Sequence, residues 1–220
     1  MRTGLRAYFL LLALLLLFCC LAEAEETDAM RFKAEHEILN NQSNLDGSAT
    51  YRELDIAADN PIVYADEAAL KAFFAEGTGI LYLGFPECPW CRTLVPVLLE
   101  AAKEARYDGP VLYYNALQDR DQLERNEDGE LLVHEEGTEL YRYLVDALYD
   151  HLGPYKGLED EAIKRIYFPT TVFVSDGEVR SAHLVTVETQ TDGYTPLDEA
   201  QHAELLALLI AQIQAVLGTQ

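Results

Sequence analysis

Gly79-Ile80-Leu81-Tyr82-Leu83-Gly84-Phe85-Pro86-Glu87-Cys88-Pro89-Trp90-Cys91 is the stretch that decides the reading of this chain. The apolar run from Gly79 to Gly84 is that of a buried central strand, and the residues after Cys91 carry a long helical pattern. Two cysteines therefore sit at a strand-to-helix switch. There the first sulfur lies beside the unsatisfied N–H groups and positive dipole end of a helix, which favours a thiolate at neutral pH. The spacing lets Cys91 curl back on the first helical turn and close a small ring with Cys88, so a mixed disulfide can be resolved from within. Cys88 is the expected attacking sulfur and Cys91 the resolving one. Trp90, between them, is expected to form an apolar rim over the pair, with Pro89 supporting the helix start.

Cysteine usage agrees. The chain has four cysteines, and Cys19 and Cys20 fall in an N-terminal leader. That leader carries Arg2 and Arg6, an apolar run through Leu17-Phe18, and an Ala22-Glu23-Ala24 cleavage pattern, which predicts a secretory signal over residues 1–24. An uncleaved membrane anchor is the alternative, and lipidation at Cys19 or Cys20 is poorly matched by the preceding residues. Cleavage would leave only Cys88 and Cys91. A pair closing so small a ring constrains little of the unfolded chain, so it reads as catalytic rather than structural. The histidines, His36, His134, His151, His183 and His202, are scattered singly, which argues against zinc.

Three further landmarks carry a resemblance to the thioredoxin family. Pro96 lies five residues after Cys91, inside a helix predicted over Arg92 to Arg106. Ile166-Tyr167-Phe168-Pro169-Thr170-Thr171-Val172-Phe173-Val174 is similar to the family's cis-proline strand. Ser175-Asp176-Gly177-Glu178 is a hairpin signal, followed by a returning strand over Val179 to Val187. The resemblance, over roughly residues 62–217, implies an α/β thioredoxin fold: a central mixed sheet flanked by helices. It implies that Phe168 and Pro169 face the sulfurs and present backbone groups to an extended client. It also implies a buried acid six positions before the first cysteine, where this chain has Tyr82, so Glu87 or water would handle the proton. Glu87, adjacent to Cys88, is expected to raise the thiol pKa.

The remaining elements follow from pattern. Residues 25–60 are polar and without sustained apolar period, reading as a tether that ends in a short strand over Tyr51 to Ile56. Asp66 to Glu76 reads as an amphipathic helix with Leu70, Phe73 and Phe74 inward. Gly79–Gly84 and Val111–Asn115, joined through the dithiol helix, should pair in parallel. The last helix is predicted from the Thr195 cap and Pro196, with a stripe of Leu205, Leu208, Leu209, Ile213 and Val216. Residues 116–164 are too long for one crossover helix and are predicted as a helical insertion built on Thr138 to Leu152. In related oxidoreductases such insertions cap the site and help select clients. The spacing of Glu124, Asn126, Asp128, Gly129, Glu130 and Glu135 is calcium-like, but Glu124 stands where aspartate is expected, and an Asp-Gly turn into Leu131-Leu132-Val133 is the preferred reading.

The net charge is −22, which disfavours nucleic acid and anionic lipid. The predicted function is an extracytoplasmic thiol-disulfide oxidoreductase acting on exported proteins, without cofactor or metal. Its partners would be client proteins with thiols or disulfides and a membrane or thioredoxin-type redox partner. The leader, Cys88-Pro89-Trp90-Cys91-Arg92 and Phe168 to Val174 also resemble the accessory proteins of bacteriocin export. A thioredoxin-fold adaptor with a static disulfide is the alternative.

Overall fold

The computed structural model describes residues 26–218, so the expected leader lies outside the described residues. Its strands are β1 (Ile62–Tyr64), β2 (Gly79–Leu83), β3 (Val111–Tyr114), β4 (Gln122–Arg125), β5 (Leu131–Glu135), β6 (Thr170–Ser175) and β7 (Glu178–Leu184). Its helices are α1 (Asp28–Glu37), α2 (Glu67–Glu76), α3 (Pro89–Glu104), α4 (Glu139–Ala147) and α5 (Glu199–Leu217). Five strands form one mixed sheet in the order β1-β3-β2-β6-β7, and β4 and β5 form a separate hairpin.

The expected parallel pairing holds, with Ile80 opposite Val111 and Leu83 opposite Tyr114. β6 runs antiparallel to β2, with Gly79 opposite Val174 and Leu83 opposite Thr170. Both β2 and β6 are buried along their whole lengths, so helices must cover both faces of the sheet. α3 and α5 pack together, and α5 lies against β2, β6 and β7 through Leu205, Leu209, Ile213 and Val216. α2 contacts β6 and β7 and meets α4 where Phe74 approaches Tyr143, ring centroids 6.2 Å apart. The β6–β7 turn puts Asp176 and Gly177 at φ of 53° and 76°, the two left-handed residues that a tight hairpin needs. The last helix starts later than expected: Asp198, in a reciprocal capping box with Gln201, caps it, while the Thr195 hydroxyl donates to Asp192.

The segment expected as a tether is folded. Thr27 caps α1, and Phe32, fully buried, stands 4.9 Å from Tyr113 edge to face. Tyr51, Leu54 and Ile56 are buried as well, in extended chain rather than a strand. The fastener is Arg92 on α3. Its guanidinium is buried and donates to the carbonyls of His36 at 2.7 Å and Arg52 at 2.6 Å and to Asn40 Oδ1 at 2.7 Å. Arg31–Glu35 is an exposed ion pair on α1, whereas Lys33–Glu37 is half-buried against Ile56, whose carbonyl accepts from Lys33 and whose N–H donates to Glu37, both at 2.6 Å.

The insertion is half β rather than helical. β4 and β5 close on a turn in which Asn126 Oδ1 accepts from the backbone of Asp128 and Glu130, and Gly129 takes φ 82°. This is the Asp-Gly turn, and of the acids in the calcium-like spacing Asp128 and Glu130 lie in the turn while Glu124 and Glu135 lie out along the two strands. Helix α4 covers the first part of Thr138 to Leu152, capped by Thr138, and a short 3-10 turn, Tyr149–His151, follows.

Phe32→Ala should cost about 3–5 kcal/mol of stability in urea unfolding, because it opens a cavity in the core; a tether residue would cost nothing measurable. His36 gives a pH signature. Burial holds its ring neutral, with the pKa lowered to about 4 and Nδ1 donating to the Phe32 carbonyl at 2.8 Å. An unfolded imidazole titrates near 6.5. Between about pH 6.5 and pH 4 the unfolded chain binds a proton that the folded chain refuses, so the full stability seen above pH 6.5 falls as pH drops, by on the order of 3 kcal/mol. His36→Gln should remove that part of the slope in urea melts at pH 7 and 4.5.

Candidate functional site

Cys88 is the N-cap of α3, and its sulfur accepts the Cys91 backbone N–H at 3.2 Å. Pro89 fills the first helical position, where its missing N–H is no loss. α3 begins there, three residues before the expected start at Arg92, because the cysteine itself supplies the cap. Pro96 lies within the helix at an exposed position. Across the site the Phe168-Pro169 peptide bond is cis, and the Phe168 carbonyl accepts the Cys88 thiol with sulfur and oxygen 3.7 Å apart. The structure therefore brings Cys88, Cys91, Phe168 and Pro169 together. It aims the Phe168 carbonyl at the sulfur rather than outward to solvent, and Pro169 is buried, its own carbonyl accepting the Val185 N–H at 2.8 Å.

The two sulfurs are free thiols in unlike surroundings. Cys88 is 5% exposed and Cys91 is fully enclosed, so an incoming sulfur can reach only the first. The Cys88 pKa is lowered: the Cys91 thiol donates to its thiolate, the backbone N–H groups of Cys91 and Trp90 do the same, and the Arg120 charge adds to them, together outweighing burial. The Cys91 pKa is pushed well up, by burial first and then by the Cys88 charge beside it. The first sulfur is thus the more readily ionised of the two and the second the more readily kept protonated.

Tyr82 occupies the buried place beneath the pair. Its ring stacks on Tyr113 with centroids 5.4 Å apart, and burial pushes its own pKa well up. The hydroxyl lies toward the Cys91 sulfur, near enough to favour its thiolate slightly, though outside hydrogen-bonding geometry. A phenol so placed is no base. Glu87 departs from expectation. It is exposed, and its charge is felt at Tyr51 and Arg92, while the charge acting on Cys88 is the cation Arg120. Trp90 is half-buried against the loop after β7, where a Cβ on Gly193 would meet the indole at 3.0–3.1 Å. The Thr93 hydroxyl and the Arg52 guanidinium both donate to the Gly193 carbonyl at 3.3 Å and hold that loop in place.

Arg120 and Arg92 are neighbours of the dithiol to which sequence reasoning gave no role. Arg92 followed the motif directly, but its buried partners lie on the segment read as a tether. Arg120 sits in Asp119-Arg120-Asp121-Gln122, a stretch with no pattern to mark it, and reaches the site only through the fold.

The chain matches no known family model, and no curated protein sequence matches it.

Alkylation by iodoacetamide as a function of pH should modify Cys88 first, with a midpoint below the ordinary thiol value of about 8.5. Cys91→Ala should move that midpoint upward, since the strongest donor to the thiolate is lost; a midpoint unchanged by the substitution would contradict the assignment.

Proposed function

We propose that this chain is an extracytoplasmic thiol-disulfide oxidoreductase of thioredoxin-like fold. One observation carries the reading: a nearly buried cysteine caps a helix with its pKa lowered, its enclosed partner cysteine has its pKa raised, and the carbonyl before a cis proline faces the first sulfur. The order of parts supports the fold. A dithiol helix follows a central strand, and a strand opening at Thr170, directly after the cis Pro169, a hairpin, a last strand and a final helix come after it. The apolar leader and the alanine cleavage pattern support export, to act on client proteins with thiols or disulfides.

The reduced pair acts as follows. The Cys88 thiolate attacks one sulfur of a client disulfide; the Cys88–client S–S bond forms, the client's own S–S bond breaks, and the second client sulfur leaves as thiolate. That thiolate takes up a proton. Cys91 then loses its proton and attacks the Cys88 sulfur, which closes the Cys88–Cys91 disulfide and releases the first client sulfur as thiolate. Two electrons have passed to the client, and a membrane or thioredoxin-type partner restores the dithiol. Run in reverse, the same steps oxidise a client dithiol. With Tyr82 unable to act as base, the Cys91 proton leaves to the departing client thiolate or to water. A stabilised Cys88 thiolate favours the dithiol state, which moves the couple toward the oxidising side.

Equilibration of the protein with glutathione buffers, followed by the fluorescence of Trp90, the only tryptophan, tests this. The expected potential is less negative than the value of about −270 mV typical of a reductant. A pair that exchanges with no thiol buffer contradicts the reading and leaves an adaptor with an inert pair.

A further inference from the structure

A cleft of about 520 Å³ opens between the 3-10 turn after β3, the β4–β5 hairpin and the strap that leads to β6, and Arg120 in its wall joins it to the dithiol site. Arg120 and Arg165 both line it. The Arg120 guanidinium stands 5.0 Å over the Phe168 ring, and Phe168 is the residue whose carbonyl accepts the Cys88 thiol. One residue thus links the cleft's cation to the reacting sulfur. Arg165 stacks over Tyr155 at 4.2 Å and donates to the Asp121 backbone carbonyl at 3.3 Å.

Both guanidiniums are under-used. Each has its Nε buried without a hydrogen-bond partner, and among the described residues no carboxylate comes within ion-pairing distance of either. They also repel each other: burial, and then the Arg165 charge, lowers the Arg120 pKa. The acids nearby do not answer this demand. Burial raises the pKa of Asp121, in the cleft wall, outweighing the charges of both Arg165 and Arg120, which it feels, and its Oδ1 is buried without a hydrogen-bond partner. Glu124 and Glu135 also line the cleft, on its hairpin side, where Glu124 is hydrogen-bonded to His134 at 2.8 Å and Glu135 accepts from Gln122 at 2.5 Å, and neither forms an ion pair with Arg120 or Arg165. Half-buried guanidiniums short of acceptors are costly, and a carboxylate meets them with the strongest hydrogen bonds available to a side chain.

We propose that this cleft binds a carboxylate of the substrate adjacent to its reactive sulfur. The proposal rests on the thiol-disulfide reading and gives that site its substrate class: an acidic residue flanking the client cysteine, or the carboxylate of a small acidic thiol. It runs against the charge of the whole chain, −22, which screening confines to roughly 8–10 Å at physiological salt, whereas the arginines act at contact.

The test uses the full chain in its reduced form and three short peptides whose single cysteine is blocked as a mixed disulfide with 2-mercaptoethanol, with Glu, Gln or Lys beside the cysteine. Exchange is followed by Trp90 fluorescence, and glutathione disulfide is run in parallel. The Glu peptide is expected to react about tenfold faster than the Gln peptide, the scale of one hydrogen bond between charged groups, and the Lys peptide slowest. Fast glutathione disulfide with undiscriminated peptides would assign the carboxylate to a small thiol, and a fast Glu peptide with slow glutathione disulfide to a protein client; either supports the cleft. Arg165→Gln and Arg120→Gln should bring the Glu to Gln ratio toward one. Arg120→Gln also alters the Cys88 thiolate, so the ratio between peptides, not the absolute rate, is the readout. If either variant fails to fold, the ratio in the unaltered protein should still decline as salt rises from about 0.02 M to about 0.5 M. Equal Glu and Gln rates together with undistinguished glutathione disulfide overturn the proposal and leave the exchange activity standing. If no peptide exchanges, the oxidoreductase reading falls; a Glu peptide with serine for cysteine that then binds no more tightly than its Gln counterpart overturns the cleft as well.

Discussion

The pairing of β2 with β6 is the constraint from which the site follows. Leu83 opposite Thr170 ends one strand where the other begins, so the chain leaving β2 and the chain entering β6 must meet at the same edge. That meeting sets Cys88 against the Phe168 carbonyl and sets the start of α3 above the sheet. Both strands are buried on both faces, and sliding their register by one residue would exchange the side chains between two differently packed halves of the core. The geometry of the two sulfurs is therefore inherited from the core rather than held by the loops around it.

A second layer of support comes from the N-terminal segment. Arg92 projects from the first turns of α3 into carbonyls of α1 and of the extended chain at Arg52, so the helix that carries the dithiol is pinned from behind. Arg52 in turn reaches the carbonyls of Gly193 and Thr195, the loop on which Trp90 rests. The front and the back of the dithiol are thus tied through two arginines, and a change in the docking of α1 has a route to the rim of the site.

Sequence pattern made the central elements legible because they obey one rule each. β2 is a continuous apolar run, β6 is a β-branched and aromatic run behind Pro169, Asp176-Gly177 is a hairpin turn by its chemistry, and two cysteines at a helix start announce their own electrostatics. The pattern failed where the physics was shared between distant residues. α1 shows little apolar periodicity because Phe32, Ala29 and a neutral His36 make its buried face, and a histidine does not read as core. β4 is polar and only half-covered, so nothing in Gln122 to Arg125 marks a strand until Leu131 to Glu135 folds back on it. Thr195-Pro196 has the chemistry of a helix start, but Thr195 is engaged by Asp192 and the capping box at Asp198 wins. Arg120 is the clearest case: its effect on Cys88 exists only because the chain after β3 turns back over Phe168.

The most direct test of the account is to trap the covalent intermediate that it requires. The Cys91→Ala protein, incubated with an oxidised model protein bearing one accessible disulfide, should accumulate a mixed disulfide that mass spectrometry maps to Cys88 and that dithiothreitol releases. The chain with both cysteines should show almost none, because Cys91 resolves it. No adduct in the Cys91→Ala protein, or an adduct mapped to any other residue, would contradict the assignment of Cys88 as the exchanging sulfur.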